Sequence, residues 1–282
     1  MDEMNNPVES DGVFTYNVGF NFTIENFVLC DGDPLTLARW PNKTSTKLLD
    51  PEAAIIVNKG SFPTGIVNLN FPLNFNSESL KGTAVWANAE SKWNCWTSNV
   101  VGFDSISKII LLKGFGDSWW VKERHNPKRA HRHYGNGIFY VAGAEVLLGA
   151  PGEWFFKKEN HQLKLNFPKG KDATTSVISV NKRKWTIDFR NCSFIEVDGL
   201  DTVGAPITFQ NASSCIVKNG VIKYFYYSFG NNSIMGITKN SGILLSGVKK
   251  SIESTIIINI EGKQSIFIRS LYKNKRANTN SI

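Results

Sequence analysis

Glu196, Asp198 and Asp201 fall within one short stretch of the chain, and Glu253 recurs near the equivalent place further on. Paired carboxylates are what cleavage of a glycosidic bond requires, about 5–5.5 Å apart for retention of configuration and roughly 6.5–9.5 Å for inversion. Strands stacked edge to edge lie about 4.8 Å apart, so outward carboxylates on neighbouring or next-neighbouring strands meet either requirement. Alternation turns Ile195 and Val197 inward and Glu196 and Asp198 outward. The same residues also read as a solvated ladder of charge, with Lys218 between the acids as their salt-bridge partner. Tyr224 to Phe229 holds five aromatics in six residues, which can stack on sugar rings or pack as a cap. Tyr224, Tyr226, Tyr227, Asp198 and Asp201 are therefore the candidate substrate-binding residues, and no catalytic residue is assigned.

Other chemistry-bearing residues have plainer readings. Glu153, in Pro-Gly-Glu-Trp, suits a turn in which its carboxylate accepts backbone N–H bonds. Arg39, in Leu-Ala-Arg-Trp-Pro-Asn, suits bonds to backbone carbonyls. His125, His131 and His133 include an H-x-H pair, but flanking Lys and Arg repel a cation and no cysteine is near, so no metal is expected. Nor is any cofactor motif present. Cys30, Cys95, Cys192 and Cys215 have no metal-binding spacing and read as free thiols or a single staple.

The elements that must position these side chains repeat. Ile187-Asp188-Phe189-Arg190-Asn191 matches Ile207-Thr208-Phe209-Gln210-Asn211, then the segments starting at Ile243 and Ile266, at offsets of 20, 36 and 23 residues. A second element follows the first three: Phe194 to Val197, Cys215 to Lys218, and Ser251 to Ser254. The 36-residue offset fits the same period with an inserted loop. Each unit is two short apolar strands and a polar turn, unable to bury its own apolar face, and self-similarity at such a period predicts a solenoid. The prediction is a parallel β-helix of three to four coils over 177–282.

Composition narrows the partners. The chain has 282 residues, 41% of them hydrophobic and 20% charged, which suits one large or two medium globular domains. A net charge of +8 favours an acidic partner, such as a uronate-rich polysaccharide. The basic residues are scattered rather than gathered on one helix or stripe, so no nucleic-acid partner is expected. Nor is a transmembrane segment, because no apolar run nears the roughly 20 residues required. The first ten residues are polar and acidic, with no apolar core of a secretory signal. A monomer is expected.

Residues 1–12 read as a disordered leader and 13–135 as a β-rich domain, with strands expected around Phe22 to Ile24, Ala53 to Val57, Ile66 to Phe71 and Ser107 to Lys113. Residues 136–176 form a connecting region. Within it, Trp154-Phe155-Phe156, a polar turn from Lys157 to His161, and Leu163-Lys164-Leu165 predict a hairpin.

Two motifs add a family resemblance. GAPGEWFFKKENHQLKLNFPKG resembles the segment that leads into the helix of many bacterial right-handed parallel β-helix proteins of pectate lyase-like fold, and GDPLTLARWPN resembles a second motif they share. In this order the pair is most similar to glycoside hydrolase family one hundred and forty-one. The resemblance runs from about Phe14 to Ile268. It implies an all-β fold: a right-handed parallel β-helix with a β-sandwich-like insertion domain at the N-terminal side. It also implies action on plant cell-wall polysaccharide and a secreted or periplasmic setting. Family members have coils before the insertion domain and many more after the point reached here, and their catalytic carboxylates would lie in those later coils. The chain is thus expected to be a fragment, inactive alone, with non-catalytic glycan binding or a structural surface role as the alternative.

Overall fold

The computed structural model describes residues 1–23, 26–42, 55–56, 65–72, 75–88, 95–113, 137–224, 243–253, 256–258 and 266–269. Among them the protein is all-β. The α-helix Ser77–Leu80 has four residues and a 3-10 turn spans Glu145–Leu147. No helix of the described residues is long and apolar enough to cross a membrane. The described residues form two compact units, one ending at Lys182 and the other starting at Arg183.

The first unit is built from antiparallel sheets. Strand Ala84–Asn88 sits between Cys95–Asp104 and Ile138–Ala142, and Ile138–Ala142 also pairs with Arg39–Trp40. Alternation decides its faces: Val85, Ala87, Phe139 and Val141 turn into a core with Ile66, Phe71, Leu80 and Ile110, while Trp86 and Tyr140 pair on the other side. The short helix is fixed from both ends. Asn76 accepts from the Ser79 N–H in a capping box, and Leu80 is buried in the core. Ser77 Oγ accepts from the Phe103 N–H at 3.1 Å, next to a bulge between Val100 and Gly102. A Cβ on Gly102 would lie 3.0 Å from that Oγ, so a larger residue there would press on the Ser77 hydroxyl.

The predicted hairpin is present as Glu153–Lys157 and Gln162–Asn166, with Trp154 opposite Leu165. Its surroundings differ from the expected connector. Gln162–Asn166 pairs with Val13–Asn17, and Glu153–Lys157 pairs in parallel with Thr36–Leu37. The boundary expected at 135 therefore divides strands that share sheets, because a hairpin with an open edge needs neighbours to satisfy its backbone. Residues 1–12 are not a disordered leader. Asp2–Met4 pairs with Ile178–Val180, Val8–Ser10 pairs with Val13–Asn17, and Lys182 closes on Asp2 at 3.3 Å. Their polarity misled because edge strands tolerate it. Strands at Ile55–Ile56 and Ile109–Leu112 fall within expected stretches; of the stretch expected from Ile66 to Phe71 only Ile66 and Val67 are in a strand, and Phe22 and Thr23 are not in one.

Among the described residues of the second unit every strand pair is parallel. Ile187 pairs with Ile207, Ile207 with Ile243, and Ile243 with Ile266. A second ladder joins Glu196 to Ile216 and Ile216 to Ser251, and a third joins Thr202 to Ile222 and Ile222 to Ile257. The backbone repeats as well. Positive φ angles recur twenty residues apart at Asn191 and Asn211 (60° and 56°), Phe194 and Ser214 (60° and 52°), Gly199 and Asn219 (71° and 54°), and Gly204 and Tyr224 (96° and 50°). Asn and Gly fit such corners because they reach the left-handed region at low cost. Inside, the Phe189 and Phe209 rings stack at 4.6 Å and 11°, packed with Ile207, Ala212, Cys215, Val217 and Ile222.

The second ladder departs by one residue from the match of Phe194 with Cys215. Glu196, not Ile195, lies opposite Ile216. Ile195, expected to turn inward, is 38% exposed, and Phe194 before it sits at a corner and is 84% exposed. Val197 and Val217 instead share the inward position, and a one-residue slip would turn both outward.

Candidate functional site

The outward row of the second unit is set by that register. Asp198 lies opposite Lys218, and Lys218 opposite Glu253. The Lys218 ammonium bridges both acids of the preceding strand, at 2.7 Å from Glu196 Oε1 and 3.4 Å from Asp198 Oδ2. The other Asp198 oxygen, Oδ1, accepts from the Asn219 amide at 2.8 Å. Asn219 is aimed there by its left-handed corner, with φ of 54°. Asp201 has a different role: its Oδ1 accepts the Val221 N–H at 2.8 Å and ties one turn to the next.

Electrostatics limit what this row can do. The Asn219 hydrogen bond and, to a smaller extent, the Lys218 charge hold the Asp198 carboxyl below its usual range. The hydrogen bond and charge of Glu196, followed by Asp198, push the Lys218 ammonium up. Glu196 and Asp198, two residues apart, have backbones about 7 Å apart along the strand. An inverting pair needs roughly 6.5–9.5 Å between carboxyls, but these two converge on one ammonium. A general acid must also keep its proton near working pH, and Asp198 is biased the other way. The row offers acceptors, an amide and an ammonium, which suit hydrogen bonding to hydroxyls. Asn219→Ala and Lys218→Met are each expected to raise the Asp198 pKa, because the amide bond is the largest single cause and Lys218 acts through both its charge and a hydrogen bond. Carboxyl carbon NMR titration of Asp198 measures both shifts.

The remaining expected site residues are dispersed or undescribed. Tyr224 occupies the corner that Gly204 holds one repeat earlier. Tyr226 and Tyr227 lie outside the described residues, as do His125, His131 and His133. Among the described residues no group of three or more His, Cys, Asp or Glu is arranged to hold a metal ion. Cys30, Cys192 and Cys215 are free thiols. Sequence reasoning missed Asn219, although the twenty-residue offset from Gly199 marks it as a corner residue beside Lys218. Ile195, expected inward, is 38% exposed.

Arg39 and Glu153, from the two resemblance motifs, meet in the first unit. Parallel pairing of Thr36–Leu37 with Glu153–Lys157 brings them together. Glu153 is 2% exposed; Oε2 accepts the Gly149 and Ala150 N–H groups at 3.0 and 2.9 Å, and Oε1 the Arg39 N–H at 3.4 Å. Burial pushes its carboxyl pKa up against the opposing pull of these bonds and of the Arg39 charge. The Arg39 guanidinium donates through Nε to the Pro41 carbonyl at 3.0 Å and lies 3.8 Å above the centre of the Tyr140 ring, which stacks on Trp86. Both carboxylate oxygens are occupied by backbone, so this is an anchor for two loops rather than a place for substrate.

No protein-family model matches the sequence, and no curated protein matches it. A solved structure titled "Glycoside hydrolase" is similar over 80% of this chain, with a TM-score of 0.49 and 11% sequence identity. The chain spans 36% of that protein's length.

Proposed function

We infer that the protein is carbohydrate-active, with a second unit that is a short right-handed parallel β-helix. In this reading a plant cell-wall polysaccharide lies across the outward row Glu196, Asp198, Lys218 and Asn219, held without being cleaved by a monomeric chain. The first unit would be the insertion-type domain of the glycoside hydrolase family that the sequence resembles. Three parallel ladders in one register and corners repeating every twenty residues support the helix. The observation that carries the functional part is the sharing of one ammonium by two carboxylates, with an amide on Asp198. Paired carboxylates exchange hydrogen bonds with sugar hydroxyls readily, and Asp198, held below its usual range, is a poor proton donor.

A second reading, hydrolysis, draws on the spacing of Glu196 and Asp198 alone. Affinity electrophoresis of the purified chain in arabinoxylan, fucosylated xyloglucan and polygalacturonate, with reducing ends assayed on the same samples, separates the two. Retardation by a neutral polysaccharide, with no reducing ends above a protein-free control, is expected. Release above that control would make the protein an enzyme; retardation by none of the three would end the glycan reading.

A further inference from the structure

Phe194 is the most exposed aromatic side chain of the second unit's described residues, and nothing in the fold asks for it. Its side chain is 84% exposed and its φ is 60°, a backbone region that costs a bulky residue energy. The corner itself does not require an aromatic ring, since Ser214 fills it one repeat later at φ 52°. The backbone there is pinned: the Phe194 N–H donates to the Ser213 carbonyl at 3.0 Å, and Ser193 bridges Ser213 in parallel. A rigid, strained corner thus holds a flat apolar ring in solvent. Ile195, at 38% exposed, continues the apolar surface toward the polar row.

What would cover that ring follows from its neighbours. Along the chain it precedes Glu196 by two residues and Asp198 by four, at the corner that leads into their strand. A ligand spanning them must offer an apolar face at one end and several hydroxyls at the other. A pyranose chain has both, because the C–H face of one ring stacks on an aromatic side chain while hydroxyls further along meet carboxylates and amides. The row also selects by charge. Among the described side chains of the row, Glu196 and Asp198 share the one Lys218 ammonium. Two carboxylates to one ammonium leave these side chains net negative although the whole chain is positive, so a uronate would be repelled at contact.

The geometry points to Phe194 as a sugar-stacking residue that, with the Glu196–Asp198 row, selects an uncharged pyranose chain over a uronate chain. This rests on the glycan-binding reading above and adds to it a residue and a specificity.

The test is isothermal titration of the full chain with xylohexaose and hexagalacturonate, for the wild type and for Phe194→Ala, Phe194→Leu, Phe194→Trp and Phe194→Gly. Xylohexaose is expected to bind the wild type, about tenfold more weakly to Phe194→Ala and Phe194→Leu, and unchanged to Phe194→Trp. Leucine separates ring stacking from general apolar contact. Phe194→Gly relieves the corner, so it is expected to melt about 2–4 °C higher while losing affinity, which a residue kept for structure would not do. Hexagalacturonate is expected to bind at least about tenfold more weakly than xylohexaose. Wild-type affinity in Phe194→Ala and Phe194→Leu would overturn the stacking role and leave glycan binding standing. Preference for hexagalacturonate would overturn the specificity. Sedimentation showing self-association that Phe194→Ala abolishes, at unchanged glycan affinity, would make the ring a protein contact instead. If the wild type binds neither oligosaccharide and no polysaccharide retards it, the functional reading fails and this inference falls with it.

Discussion

Substituting Phe209→Ala is expected to destabilise the second unit by about 3–5 kcal/mol, the usual cost of removing a buried phenyl ring and leaving a cavity. Phe209 is fully buried and its ring stacks on Phe189 at 4.6 Å, so the deletion removes one ring of an inward stack. Parallel neighbours cannot close the gap without shifting register, because Ile207 and Val217 are held by ladders on either side. Amide exchange reads the effect locally. Protection at Val197, Val217 and Ile222 should fall, while that at Val85 and Val141 in the first unit should not. An effect below about 1 kcal/mol would mean the ring is not packed as described.

Glu153→Ala is the second large effect, an expected loss of about 3–5 kcal/mol from the first unit. Three backbone N–H groups lose their acceptor and the nearby Arg39 loses its counter-charge. Glu153→Gln separates shape from charge. Burial raises the Glu153 pKa in the folded protein, so between the ordinary glutamate value and the folded value the native state binds more protons than the unfolded chain. Stability from this group therefore falls as pH rises through that window and recovers on acidification. The neutral glutamine removes the dependence. The difference in melting temperature, wild type minus Glu153→Gln, is expected to grow as pH falls from neutral toward the ordinary glutamate value. A difference that shrinks would mean that the hydrogen bonds outweigh burial.

Local pattern was legible in the sequence where a single segment carried it. The hairpin from Trp154 to Leu165 followed from two apolar triplets and a polar turn, and its register came out as Trp154 opposite Leu165. The parallel pairing of Ile187, Ile207, Ile243 and Ile266 followed from their repetition, since residues that share an environment share a position. Long-range antiparallel partners were not legible. Nothing in Val13–Asn17 marks Gln162–Asn166 as its neighbour, because alternation fixes a face and not a partner. The candidate row was half legible. Lys218 between the acids could be expected from the repeat, but the Asn219 bond to Asp198 needed the corner geometry that turns the amide back. The inward position expected for Ile195 was not legible, because alternation holds along a strand and the left-handed corner at Phe194 interrupts it, leaving Ile195 38% exposed.

The most direct test of glycan binding at this row is an amide-shift titration by NMR of the isotope-labelled chain with xylohexaose. The predicted result is saturable shifts clustered at Phe194, Glu196, Asp198, Lys218 and Asn219, with Val85 and Val141 unmoved. Saturable shifts confined to the first unit, or none at any xylohexaose concentration, would contradict it.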